Sequence, residues 1–132
     1  VTSLDKAFAL AQAALDKKAY DLVLLEVEHL SSVADYFIIA TGRSDVQVQA
    51  IVRGIQERME REKVRPLSVE GLPHAHWVVL DYDDVVVHVF FEAAREFYRL
   101  ERNWVDAQEV ELPEPIRSQA KDLRLSAASA TG

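Results

Sequence analysis

The sequence predicts one α/β domain, a mixed five-stranded sheet with flanking helices. Three observations carry this. Apolar residues recur at helical spacing in three separate stretches. Between these stretches lie short runs rich in β-branched residues, of strand length. And residues 77–104, WVVLDYDDVVVHVFFEAAREFYRLERNW, read as a β-hairpin that runs straight into an amphipathic helix.

The elements follow in order. Thr2 or Ser3 can cap a first helix, with Asp5 suited to its first turn. Leu4, Phe8, Ala11 and Leu15 give that helix one apolar stripe to about residue 17. Asp21 leads into LVLLEV, a buried strand over 22–28. DYFIIATG predicts a second strand over 35–41, ended by Gly42. Ser44 and Gln47 form a capping-box pair, and Val48, Ile51, Val52, Ile55 and Met59 then stripe a helix over 45–62. Pro66 opens PLSVEG, a short strand closed by Gly71. Strands over 76–82 and 85–91 flank Asp83-Asp84, a poor two-residue turn if both positions need φ > 0. Val85, Val87 and Val89 face one way, and Val86, His88 and Phe90 the other. Both sets are largely apolar, so this strand is expected to be central and covered on both sides. Ala93, Phe97, Leu100 and Trp104 repeat at helical spacing after it.

The domain is expected to span 1–106. From Ala107 the character changes to two prolines, mixed charge and a small-residue end, which predicts a tail over 107–132, partly disordered or forming one short helix on Ile116, Ala120 and Leu123.

Composition narrows the function. The chain has no cysteine, so disulfides and thiolate chemistry are excluded. No apolar run approaches the roughly 20 residues of a membrane span. The opening VTSLDKAF carries an acid and reads as a helix start, unlike a signal or transit peptide, so a cytoplasmic protein is expected. The net charge is −7, of which the tail, with four acids against three bases, holds −1. A nucleic-acid binder needs a basic face, so the expected partner is a neutral or basic protein, with no direct nucleic-acid binding.

The chemistry-bearing residues admit modest roles. Asp81, Asp83 and Asp84 are the densest carboxylates; strand-end acids can hold a divalent metal, but Asp83 and Asp84 suit a solvated turn better. ATGRSD sets a Gly and a Ser before a helix without the glycines or lysine of a P-loop. His74 and His76 lack the third and fourth ligands zinc needs. His88, between Val86 and Phe90, fits a core histidine bonded to a neighbour. Trp77 begins a strand on the face of Val79 and Asp81, which suits either a core or an interface anchor. No nucleophile elbow is present, and no catalytic triad can be claimed.

Four motifs in order, DYFIIATG-x-S-D, P-L-x-V-E-G, W-V-x-L-D-Y-x-D-V-V-V-H-V-F and R-E-F-Y-x-L-E-x-x-W, resemble the ribosomal silencing factor (Iojap) family over about residues 4–106. The resemblance implies a small nucleotidyltransferase-like α/β protein without established transferase activity, so a binding protein with no cofactor, and not an enzyme, is expected. It implies binding to large-subunit ribosomal protein fourteen, a steric block to joining of the small and large subunits, and translational repression under nutrient limitation. It further implies a homodimer in the free state. Pro66, Glu70, Trp77, Asp81, Tyr82 and His88 match family motif positions and become the expected partner-binding residues. Trp77 would anchor, Glu70 and Asp81 would meet basic side chains, and Tyr82 would offer ring and hydroxyl. The rival from another class is a metal-dependent nucleotidyltransferase using Asp81 and Asp83. A further one is an RNA-binding, ribosome-associated protein.

Overall fold

The computed structural model describes residues 2–98, 102, 104 and 106–131, with backbone alone at 97, 98 and 129–131. The first helix, α1 (Ser3–Asp16), starts on the cap its sequence supplies. The Thr2 hydroxyl accepts from the Asp5 N–H at 3.1 Å, and the Asp5 carboxylate accepts from the Thr2 N–H at 3.3 Å. Strands β1 (Tyr20–Glu26) and β2 (Tyr36–Gly42) pair antiparallel. Helix α2 (Asp45–Arg61) begins where the Ser44 hydroxyl accepts from the Gln47 N–H at 3.1 Å. It buries Val48, Ile51, Val52, Ile55 and Met59, the stripe read from the sequence. Then come β3 (Ser68–Glu70), β4 (Trp77–Asp81), β5 (Val85–Phe91), α3 (Glu92–Tyr98), β6 (Gln108–Glu109) and α4 (Ile116–Thr131).

The sheet is open and mixed, in the order β3-β4-β5-β2-β1-β6, with β2 and β5 parallel and the other pairs antiparallel. Among the described residues it has six strands where five were expected. The added β6 is the dipeptide Gln108-Glu109 laid against Leu25 and Glu26, too short and too polar to show a strand period. Strand β1 starts two residues before its expected bound, because a bulge between Tyr20 and Val23 absorbs Asp21 at φ 47°. A bulge lets an aspartate sit inside a strand whose regular form disfavours it. Strand β5 lies between β4 and β2 and is buried on both faces.

One face packs on α1 and α2, with Leu24, Ile38, Ala40, Val78, Leu80, Val85, Val87 and Val89 in that core. The other face holds a smaller cluster of Leu25, Val27, Phe37, Ile39, Val86 and Phe90, covered in part by Ala94, Trp104 and Ala107. The α3 segment runs from Glu92 to Tyr98; of its expected stripe, Leu100 falls outside the described residues. Residues 107–131 lie on the same sheet. Ile116 and Ala120 of α4 are buried in the main core, and Leu123 packs against it.

The hairpin turn is the two-residue Asp83-Asp84, closed by the Tyr82 N–H donating to the Val85 carbonyl at 2.9 Å. Only Asp83, at φ 76°, takes the left-handed conformation. The Asp81 carboxylate accepts from the Asp83 N–H at 2.9 Å and steadies it there.

Candidate protein-interaction face

The cross-strand register gathers four of the six expected residues onto the second face. Glu70 lies opposite Val79, Val79 opposite His88, and His88 opposite Ile39. A parallel row runs Ser68, Asp81, Val86, Phe37, Leu25. Trp77 lies opposite Phe90. Opposed residues share a face. So Glu70, Trp77, Asp81 and His88 share one surface, graded from open to sealed. Glu70 and Ser68 are exposed, Trp77, Val79 and Asp81 are half-buried, and His88, Val86 and Phe90 are buried. The gradient follows from topology: β3 is the sheet edge, whereas the cover from Trp104 reaches Phe37 on β2, with ring centroids 4.9 Å apart.

Pro66 and Tyr82 stand apart from this row. Pro66 is half-buried just before Leu67, whose N–H donates to the Asp81 carbonyl at 2.6 Å. Leu67 itself is 70% exposed. Tyr82 offers neither ring nor hydroxyl to a partner. It is 2% exposed, in the core under the helices, and its hydroxyl is buried with no hydrogen-bond partner. One residue past Asp81, it faces the opposite way, as strand alternation requires. Burial pushes its hydroxyl up to about 12, so it stays protonated. His88 is 7% exposed and lies beneath the open strip.

The aromatic residues on this face are locked together. The Trp77 Nε1–H donates to His88 Nδ1 at 3.1 Å. The indole stacks on Phe90 with centroids 5.0 Å apart, and Phe37 meets His88 edge-on at 5.1 Å. Gly71 sets the approach of Trp77. At φ 93°, it brings the chain so close that an added Cβ would stand 2.1 Å from the Trp77 carbonyl oxygen. PLSVEG marked Gly71 as a strand end; this close packing had no signal of its own.

The turn carboxylates are engaged in structure. Asp84 pairs with Lys6 at 2.6 Å and takes the Ser3 hydroxyl at 2.8 Å, which ties the start of α1 to the hairpin. Burial acts to raise the Asp84 carboxyl, but the bonds from Lys6 and Ser3 outweigh it and hold the group below the usual range. Asp81 caps Asp83. Among the described residues no group of three His, Cys, Asp or Glu side chains is placed to hold a metal ion. Ala75, at φ 55°, breaks the extended path between His74 and His76.

A cleft of about 510 Å³ lies where the parallel strands β2 and β5 end, lined by Tyr20, Asp21, Thr41, Glu92, Arg95, Glu96 and Arg102. Sequence reading gave none of these residues a site role. Much of its polarity is turned inward. The Tyr20 hydroxyl donates to Glu92, and Arg95 donates to the Asp21 carbonyl and, at 2.6 Å, to the Thr41 hydroxyl. This network pins the β1 bulge to α3 and β2.

The family model described as ribosomal silencing factor during starvation matches residues 1–131. The chain belongs to the ribosomal silencing factor family. It is 46% identical over 97 residues to the ribosomal silencing factor RsfS of Bacillus subtilis, covering 74% of this chain and 82% of that one. It is 36% identical to the chloroplastic protein Iojap of Arabidopsis thaliana, covering 91% of this chain and 50% of that one. The fold matches a crystal structure of a Chromobacterium violaceum protein with TM-score 0.78 and 30% identity, over 85% of this chain and 92% of that one. A Bacillus halodurans crystal structure matches with TM-score 0.72 and 38% identity, over 82% and 99%. In this family member, no helix among the described residues is long and apolar enough to cross a membrane.

Proposed function

We propose that this chain silences ribosomes by binding, without catalysis. It occupies large-subunit ribosomal protein fourteen and sterically blocks joining of the small subunit, lowering translation when nutrients are limiting. Family membership supports the ribosomal role. The observation that supports this surface is the half-open strip on β3 and β4, where Trp77, Val79, Glu70 and Asp81 share one face of a chain with net charge −7. An aromatic anchor flanked by carboxylates complements a basic protein. Pro66 and the exposed Leu67 lie next to the strip, where the Leu67 N–H donates to the Asp81 carbonyl. In the free state the same partly covered apolar face supports a homodimer, and the protein works in the cytoplasm.

Light scattering of purified subunits during reassociation tests the mechanism. Added protein should suppress the rise in scattering in proportion to occupancy. Unchanged association at saturating protein would refute it. Sedimentation at micromolar concentration tests the dimer, and a monomer throughout removes that part. The metal-dependent transferase using Asp81 and Asp83 is disfavoured, because the Asp81 carboxylate already accepts from the Asp83 N–H and no third acid is gathered with them among the described residues. Magnesium-dependent nucleotide binding lost in Asp81→Ala would restore it.

A further inference from the structure

His88 sits where an aliphatic residue would serve packing better. Its cross-strand neighbours are Val79 and Ile39, and Val86 and Phe90 flank it on its own strand face. It is 7% exposed, and its Nε2 is buried with no hydrogen-bond partner. Because Nδ1 accepts the indole proton of Trp77, the neutral ring carries its own proton on Nε2. A buried donor without a partner costs stability that leucine or isoleucine would not. Surface contact cannot explain the residue, since Nε2 is sealed from solvent.

What the imidazole does is hold one atom of Trp77. The two residues are not directly opposed: Trp77 faces Phe90 and His88 faces Val79. The bond is therefore a diagonal tie across the β4–β5 pair, and it adds a directional restraint on the indole to its stacking on Phe90. Phe37, edge-on at 5.1 Å, holds the imidazole from the β2 side. Burial pushes His88 down to about 4, so the ring remains a neutral acceptor at physiological pH.

We infer that His88 is a positioning residue for ribosome binding: its Nδ1 accepts the Trp77 indole N–H and sets the orientation in which Trp77 meets the partner. This rests on Trp77 being the anchor proposed above. His88 touches no partner atom, and the indole N–H is spent inside the protein, so recognition of Trp77 runs through its ring.

The test compares His88→Asn, His88→Gln and His88→Leu in the full chain. Asparagine places an acceptor near the position of Nδ1, glutamine places one near Nε2, and leucine has none. Hydrogen exchange of the Trp77 indole N–H, assigned by its loss in Trp77→Phe, reports the bond in the free protein. Affinity for purified large ribosomal subunits reports the consequence. The indole of the wild type and of His88→Asn should exchange slowly, and that of His88→Gln and His88→Leu about tenfold faster, as expected for one lost hydrogen bond. Subunit affinity should fall in the same two variants and recover in His88→Asn. Equal exchange and equal affinity across all the variants would overturn the inference. If His88→Leu does not fold, the Asn and Gln pair still decides it. If the wild type fails to bind subunits, the ribosomal reading fails, while indole exchange still reports whether the His88 bond exists.

Discussion

On β5, Val85, Val87 and Val89 enter the core under α1 and α2, while Val86, His88 and Phe90 belong to the opposite face. The first set is uniformly aliphatic. The second contains a histidine with an unpaired nitrogen and lies beside a tryptophan, two carboxylates and an open edge. The helix-covered face is lined mainly by aliphatic side chains, and the Tyr82 hydroxyl is sealed within it. The other face retains polar groups and leaves β3 and β4 half uncovered. On the binding surface proposed above, one sheet would separate stability from recognition by strand alternation.

Adjacent residues of β4 break this comparison most sharply. Leu80, fully buried under the helices, should lose about 2–5 kcal/mol of stability as Leu80→Ala. Val79→Ala, half-buried on the other face, should lose less than about 1.5 kcal/mol. Urea unfolding measures both. Subunit affinity per folded molecule should hold in Leu80→Ala and fall in Val79→Ala. Equal stability losses would mean the second face is sealed as fully as the first.

Acid should loosen the second face before the first. His88 is held at about 4 in the folded chain, against about 6.5 when unfolded. The unfolded chain takes the proton first, so stability falls as pH drops from about 7 toward 4, by about 3 kcal/mol in all. Asp84, held low by Lys6 and Ser3, acts in the same direction only in the carboxylate range. His88→Asn should flatten the slope between about pH 7 and 5. An unchanged slope there would mean that His88 titrates normally.

Trp77→Ala should weaken subunit binding by roughly 2 kcal/mol or more, as an interface anchor does. Its folding cost should stay below the roughly 3–5 kcal/mol of a core tryptophan. Unfolding of the domain, or unchanged affinity, would move the interface off this face. Asp81→Asn keeps an oxygen to cap Asp83 while removing charge, so stability should hold as binding weakens by about 1 kcal/mol and becomes less sensitive to salt.

Helices, the central strand and the two-faced pattern were legible because each has its own period: the Val48–Met59 stripe, the Ser44 cap, the Val85–Phe90 alternation. That Trp77, Asp81, Glu70 and His88 share a face was only half legible. Trp77 and Asp81 lie on one strand, and parity places them. Glu70 joins them through the register with Val79, which no local pattern carries. Tyr82 matched the family motif, yet motif matching does not separate a contact from a core residue; its parity relative to Asp81 did. Strand β6 and the Arg95 network escaped entirely. A two-residue polar strand has no period, and the arginine joins Asp21 and Thr41 from far along the chain.

The smallest expected effect sharpens the comparison from outside both faces. Asp83 holds φ 76° in the β4–β5 turn, where an L residue is strained and glycine is not. Its N–H is already satisfied by Asp81, and this bond survives the loss of the Asp83 side chain. Asp83→Gly should therefore relieve the strain but also loosen the unfolded chain, leaving a net gain of about 0.5 kcal/mol. Because Asp83 is exposed, neither core should change. Thermal unfolding should show a small rise in midpoint, with subunit affinity and indole exchange at Trp77 unaltered. A loss of stability would show that the Asp83 carboxylate contributes more than its backbone costs. A change in affinity would bring the turn itself into the interface.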